Sequence, residues 1–239
     1  MSTIRVLIAG YRGKMGQTAQ DALCNDPDFE IVPGAQSTDQ LQKNIHTYQP
    51  DVVLDLTTAK VVQTHVQLYL DLNVKSVIGA SGLSQTMIKQ CQQQCIRQSL
   101  GMFIVPNFSL GMALMQQCAE IIAQHMPHAE IIETHHTQKI DSPSGTALDT
   151  ARLIDDQMAA PHHPHHQSRG DQTFKTPIHA LRLPHAMANQ DVIFSQPGES
   201  LTLSHQCLDR HAYHQGIRKA IRYCINLSQC DIGLQACLK

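Results

Sequence analysis

The chain has 239 residues, enough for one large or two modest domains, and its 42% hydrophobic content permits ordinary packed cores. A formal net charge of −2 leaves no basic footprint for nucleic acid, and no apolar run is long enough to span a bilayer. The eight cysteines are scattered with no Cys-x-x-Cys pair, and no signal peptide precedes the first strand-like segment, so a cytoplasmic protein with reduced thiols is expected.

Residues 4–9 form an apolar run bounded by glycine, as expected of a buried parallel strand. Gly10-Tyr11-Arg12-Gly13-Lys14-Met15-Gly16 follows, and a helical pattern then covers 17–25. In the order strand, glycine turn, helix, the glycines let backbone approach a pyrophosphate at the helix N-terminus. The spacing is Gly-x-x-Gly-x-x-Gly rather than Gly-x-Gly-x-x-Gly, so taken alone it also fits a plain tight turn. A second strand is predicted over 29–35. Where a fold that prefers NAD places an acidic residue for the ribose, this chain has Gln36 and Ser37. Neither position is a carboxylate that would repel a 2′-phosphate or an arginine that would hold one, so NADH and NADPH both stay open.

The next buried strand is 51–56, after which Thr57 and Thr58 are expected to cap a helix running through His65 and Leu72. Residues 75–79 read as a strand ending in Gly79-Ala80-Ser81-Gly82, whose small side chains leave room for a flat ligand ring or simply make a turn. A helix over 84–100 follows, in which Cys91 and Cys95 lie one turn apart and are expected to pack rather than ligate. Residues 101–105 are one more strand, closed by Pro106-Asn107-Phe108. Strands alternating with helices predict a Rossmann-like parallel sheet with helices on both faces. One long helix is predicted over 109–126.

The densest chemistry lies in Glu133-Thr134-His135-His136-Thr137-Gln138-Lys139-Ile140-Asp141-Ser142-Pro143-Ser144-Gly145-Thr146, between a strand over 129–133 and a helix. Ser144 is a good N-cap, which leaves the backbone N–H groups of Gly145 and Thr146 at the helix start. A helix start is an anion site, and two imidazoles and an ammonium add charge and titratable protons. Singly, these features also fit surface histidines and an ordinary cap. Combined in one connection, they read as a pocket where a small carboxylate-bearing molecule undergoes proton transfer.

Further on, Pro161-His162-His163-Pro164-His165-His166 reads as an exposed polar loop without fixed ligand geometry, and no metal is expected. Strands are predicted over 177–182, 191–195 and 200–204, the last two joined by the Pro197-Gly198-Glu199 turn. Runs of strands imply a second, α+β domain with a mixed, mostly open sheet, and a helix over 212–227 returns to the first. The division expected is a dinucleotide-binding domain of 1–108 with 212–239, and a substrate-binding and oligomerisation domain of 109–211.

Glu-x-His-His-x-x-Lys-x-Asp-x-Pro-Ser-Gly-Thr-Ala, starting at Glu133, resembles the signature of the dihydrodipicolinate reductase family of the diaminopimelate and lysine pathway. The similarity covers nearly the whole chain. The glycine turn resembles the family's Gly-x-x-Gly-Arg-Met-Gly with Lys14 in place of arginine. Gly79-Ala80-Ser81-Gly82 resembles its Gly-Thr-Thr-Gly, Val105-Pro106-Asn107-Phe108-Ser109 its Ala-Pro-Asn-Phe-Ser, and Pro197-Gly198-Glu199, His205 and Arg210 its C-terminal pattern. The resemblance implies NAD(P)H-dependent reduction of a cyclic dicarboxylate, 4-hydroxy-tetrahydrodipicolinate, by a homotetramer. It implies His135 as proton donor, Lys139 as second catalytic cation, and substrate contacts at His136, Ser144, Gly145 and Thr146. It implies cofactor contacts at Gly10, Tyr11, Arg12, Gly13, Lys14, Met15, Gly79, Ala80, Ser81, Val105, Pro106, Asn107 and Phe108. Two departures stand out. Asp55-Leu56-Thr57 replaces Asp-Phe-Thr, and Ala188-Asn189-Gln190 replaces the family's Gly-Glu-His, which bears on flap and oligomer contacts. A non-catalytic nucleotide sensor is the reading from another class, disfavoured by the intact His-His-x-x-Lys cluster. An aspartate-semialdehyde-type dehydrogenase would want a nucleophilic cysteine near the hinge, whereas Cys118 falls within a helical run.

Overall fold

Apolar side chains on both faces bury Val6, Leu7 and Ile8 completely and make β1 (Ile4–Ala9) an interior strand. In the computed structural model, which describes residues 3–158 and 169–238, β1 pairs in parallel with β2 (Phe29–Ala35) and β3 (Val52–Asp55). Then come β4 (Ser76–Ile78), β5 (Met102–Ile104) and, from the C-terminal end of the chain, β10 (Cys230–Ile232). The six-stranded sheet has the order β10-β5-β4-β3-β1-β2. The chain runs outward from β1 to β2 and then crosses to β3 on the other side of β1. Strand order therefore reverses between β1 and β3, and in such sheets ligands bind outside the carboxyl ends at that point.

Helices α1 (Lys14–Leu23), α2 (Thr38–Tyr48), α3 (Val62–Asp71) and α4 (Gln85–Gln98) connect these strands. Leu41 and Ile45 of α2, Val66, Tyr69 and Leu70 of α3, and Cys91 and Cys95 of α4 share one core with Leu7, Val53 and Ile78. The two thiols on α4 thus pack, as their spacing suggested. Helix α7 (His214–Ile225) lies beside α1, where Arg218 Nε donates to the Ala22 carbonyl at 2.6 Å and Arg222 bonds Asp26 and Asp28 at 2.9 and 2.7 Å.

Several expectations need correction. Helix α1 begins at Lys14, not at 17, because Gly13 takes the N-cap and Gly16 already lies in the first turn. Thr57 and Thr58 do not cap α3, whose N-cap is Val61 without a side-chain bond. The Thr57 hydroxyl instead donates to Asp55 at 2.5 Å. Helix α2 and strand β10 were not anticipated. The first offers few apolar residues among polar ones, and the second is three residues long and exists through its pairing with β5.

The second sheet contains β6 (His128–His135), β7 (Ile178–Arg182), β8 (Ala188–Gln196) and β9 (Glu199–Cys207) in the order β7-β6-β8-β9. β6 and β7 are parallel and the other pairs antiparallel, so the sheet is mixed. Strands β8 and β9 run longer than the expected 191–195 and 200–204, since hairpin pairing carries the polar ends along. Helices α5 (Leu110–Ala123) and α6 (Gly145–Gln157) cover one face, with Met112, Met115, Ala119, Ala147, Ala151 and Ile154 packed on Ile131, Val192 and Phe194. α5 is shorter than the expected 109–126. The histidine-rich run 161–166 lies outside the described residues.

The chain divides into two compact units, Met1–Leu110 with Arg210–Lys239, and Gly111–Asp209. No helix among the described residues is long and apolar enough to cross a membrane.

Candidate functional site

In the first unit the candidate cofactor residues begin where β1 ends. Gly10 has φ +81°, a conformation other residues rarely adopt, and its N–H donates to the Ala35 carbonyl at 2.9 Å. The turn folds back so tightly that a Cβ on Gly16 would lie 2.3 Å from the Gly10 oxygen and 2.6 Å from Tyr11 Cα. That contact sets the N-terminus of α1 against the end of β1, with Lys14 and Met15 in its first turn. The amide oxygen of Gln36, oriented to satisfy both partners, accepts from the backbone N–H groups of Tyr11 at 3.1 Å and Arg12 at 2.9 Å. An acceptor thus already rests on the donors expected to meet a phosphate or ribose, so the turn fits a nucleotide. Arg12 lies over the Tyr11 ring, 5.5 Å from its centroid. Ser37, considered for ribose contact, accepts from Gln40 N at 3.2 Å and caps α2.

Asp55, at the carboxyl end of β3, is fully buried. It accepts from Thr57 N at 3.0 Å, Thr57 Oγ1 at 2.5 Å and Tyr69 Oη at 2.6 Å, and its Oδ2 lies 2.9 Å from His65 Nδ1. His65 Nε2 lies 3.1 Å from Thr38 Oγ1, at the start of α2. Burial pushes the Asp55 carboxyl up, but the hydrogen bonds from His65, Thr57 and Tyr69 outweigh it and hold it below the usual range. Burial and the neighbouring carboxylate push the Tyr69 hydroxyl well above its ordinary value, so it remains a donor. This network joins the loops that follow β2 and β3.

At the next two strand ends, Gly79 N donates to the Asp55 carbonyl and Val105 N to the Ile78 carbonyl, both at 2.8 Å. A Cβ at Gly79 would meet the Phe108 ring at 2.5 Å and Leu56 Cδ2 at 2.7 Å. Ala80, Val105 and Phe108 are buried, while Ser81 and Pro106 are exposed. Asn107 Oδ1 accepts from Ser109 N at 2.8 Å.

In the second unit, strand alternation puts Ala129, Ile131, Glu133 and His135 on one face of β6. Ala129 and Ile131 are core residues, so Glu133 is fully buried at the end of that row while His135 reaches the strand end. Strand β6 was expected to stop at 133. Its continuation puts His135 in register with Arg182 of β7 and leaves His136 on the exposed loop. Glu133 Oε2 is hydrogen-bonded to His135 Nδ1. Arg182 Nη1 donates to Glu133 Oε1 at 2.9 Å, and its Nη2 donates to the Asp141 carbonyl at 2.7 Å. Burial pushes the Glu133 carboxyl up, but the hydrogen bonds from His135 and Arg182 prevail and hold it below the usual range. Lys139 Nζ grips both oxygens of Asp141, at 2.8 and 2.7 Å, which keeps that carboxyl low as well.

Ser144 is buried and caps α6, accepting from Ala147 N at 3.2 Å. Nothing lies within 4 Å of where a Gly145 Cβ would stand, so the helix start is open there. Behind it, Thr150 Oγ1 donates to the Thr146 carbonyl at 2.9 Å and accepts from Gln116 and Gln190 at 3.0 and 2.9 Å. The variant segment Ala188-Asn189-Gln190 is therefore the first part of β8, with Gln190 buried in the network that seats α6.

The candidate cofactor residues thus gather at the carboxyl ends of β1, β4 and β5, and His135, His136, Lys139, Ser144, Gly145 and Thr146 gather between β6 and α6. Arg182 and the Asp55–His65–Thr38 network were not singled out from sequence, and Glu133 and Asp141 were quoted without a role. Asp55 did carry a signal, a carboxylate inside an apolar run. Arg182 carried none.

The pattern described as the N-terminus of dihydrodipicolinate reductase matches residues 4–108, and that of its C-terminus matches 109–238. A 4-hydroxy-tetrahydrodipicolinate reductase of Coxiella burnetii is 38% identical over 234 residues, covering 97% of this chain and 98% of the relative. One from Streptococcus uberis is 36% identical over 253 residues, covering 98% of this chain and 99% of its own. Among solved structures, a dipicolinate-bound dihydrodipicolinate reductase from Paenisporosarcina sp. TG-14 superposes with a TM-score of 0.87 at 34% identity, covering 98% of this chain and 99% of that one. The chain belongs to the dihydrodipicolinate reductase family.

Proposed function

We propose that the protein reduces 4-hydroxy-tetrahydrodipicolinate to tetrahydrodipicolinate with NADH or NADPH, in diaminopimelate and lysine biosynthesis. The observation that carries this reading is the Glu133-backed His135 beside Lys139 and an open helix start, in a chain of this family. Substrate and product differ by a hydroxyl, so a hydride and a proton enter and water leaves. Bound nicotinamide nucleotide supplies the hydride. Glu133 engages His135 Nδ1, so Nε2 is the nitrogen that delivers the proton. Lys139, held by Asp141, turns its remaining N–H to a substrate carboxylate, and the Gly145 and Thr146 N–H groups, with the Thr146 hydroxyl, take up carboxylate charge at the start of α6. His136 contributes a further polar contact from the loop. In the first unit the turn from Gly10 to Met15 holds the nucleotide phosphates, and Gly79–Ser81 and Val105–Phe108 border the nicotinamide.

Gln36 offers hydrogen bonds without charge, so NADH and NADPH are expected to serve within about a hundredfold of each other, roughly 3 kcal/mol or less. The test is the steady-state rate with each cofactor on the cyclic substrate. If the substrate provokes no oxidation of either nucleotide, the sensor reading takes over.

A homotetramer and a cytoplasmic location complete the proposal. The face of the second sheet turned away from α5 and α6 carries Ile132, Leu181 and Ile193, and packing it against a copy would cover them. The cysteines are free thiols, which suits a reducing compartment. Light scattering that returned a monomer at micromolar concentration would count against the tetramer.

A further inference from the structure

We infer that Arg182, 49 residues from Glu133 in sequence, is a positioning residue that holds the proton donor and the substrate cation in one arrangement. The inference rests on the roles given above to His135 and Lys139. One guanidinium nitrogen meets Glu133 Oε1 at 2.9 Å, while the other Glu133 oxygen holds His135 Nδ1. Glu133 is fully buried, so its charge needs both partners, and losing Arg182 frees the carboxylate to turn. The second nitrogen meets the Asp141 carbonyl at 2.7 Å, and the Asp141 side chain grips Lys139. His135, Glu133, Arg182, Asp141 and Lys139 therefore form one continuous chain of hydrogen bonds. Within it, Arg182 is the link that comes from outside the 133–146 segment. It is planar and two-pronged, and lysine cannot make both contacts at once. Pairing across the strands reinforces the placement: His135 and Arg182 are in register, and Leu183 N donates to the His135 carbonyl at 2.9 Å.

The test compares Arg182→Ala and Arg182→Lys with the parent in the complete protein, reading turnover, KM, NADH binding by fluorescence and melting temperature. A misplaced donor costs about a hundredfold in turnover, and NADH binding is expected to stay within about twofold. Arg182→Lys should recover part of the loss, because it keeps the charge on Glu133 but one contact only. Guanidinium chloride at tens of millimolar should raise the turnover of Arg182→Ala, where sodium chloride at equal concentration does not. If Arg182→Ala leaves the buried Glu133 with His135 alone and fails to fold, the neutral pair Arg182→Ala with Glu133→Gln replaces it. That pair should be no slower than Glu133→Gln alone, since both changes break the same link. Turnover within about threefold of the parent in Arg182→Ala overturns the inference. So does a change confined to KM, or a double variant slower by the product of the single losses. Failure of the underlying reading looks different, because the parent itself would then not oxidise NADH or NADPH with the cyclic substrate.

Discussion

The glycine turn of the first unit and the β6–α6 loop of the second are built by opposite means. At the glycine turn the chain works by omission: Gly10 and Gly16 lack the Cβ that would collide with backbone, and the groups offered are main-chain N–H. At the loop between β6 and α6 the chain works by addition, with a buried carboxylate, an imidazole, a guanidinium and an ammonium linked in one series. The first region is set by backbone shape and the second by side-chain charge. Substitutions should therefore fail differently in the two places, through affinity and fold in one and through chemistry in the other.

The largest effect is expected at the loop between β6 and α6. His135→Gln should lower turnover by about 10²–10⁴-fold, the usual contribution of general acid catalysis, while NADH binding is unchanged. Lys139→Met should damage turnover and substrate affinity together. Near-normal turnover of His135→Gln with a normal melting curve would move the acid role to Lys139 or to water.

Next comes Asp55→Asn, which leaves Thr57, His65 and Tyr69 facing an amide in a sealed site and should destabilise the protein by about 3 kcal/mol at pH 7. The carboxyl is held below its ordinary value in the folded chain, so its contribution is present above the unfolded value of about 3.9 and fades as pH falls through the folded one. Urea midpoints of parent and variant should converge on acidification. A gap that widens below pH 4 would contradict this account.

Gly16→Ala sharpens the comparison. Its Cβ would sit 2.3 Å from a backbone oxygen, so the turn must open, at about 1–3 kcal/mol of stability, and NADH affinity should fall. Gly145→Ala, at the other helix start, has open space around the new methyl and should leave the melting temperature nearly unchanged. Equal tolerance at both glycines would erase the distinction drawn between the two regions.

The smallest effect is expected from Thr38→Val, which keeps the shape of α2 but removes the bond to His65. It should weaken nucleotide binding by about 1 kcal/mol and leave turnover at saturation intact, with Thr38→Ser restoring affinity. Calorimetric titration with NADH on the three proteins would reveal whether α2 depends on this contact.

Sequence alone determined the features whose cause is local. An apolar run followed by glycines specifies a buried strand and a tight turn. Ser144 before Gly145-Thr146 specifies a helix start, and Pro197-Gly198 specifies a hairpin, because neighbouring residues decide backbone conformation there. The cluster of titratable groups was legible for the same reason, since His135, His136 and Lys139 stand close together in the chain, while the choice of His135 as donor and Lys139 as cation came from the family resemblance. What their surroundings are was decided only by tertiary structure. β10 is a strand because β5 lies beside it, and the start of α1 depends on Gly16 meeting the Gly10 carbonyl. Gln190 is buried because α6 brings Thr150 to it, and Arg182 reaches Glu133 because β7 pairs in parallel with β6. Each of these contacts joins residues distant along the chain, and their energy comes from burial and sheet pairing, which no local run of residues encodes.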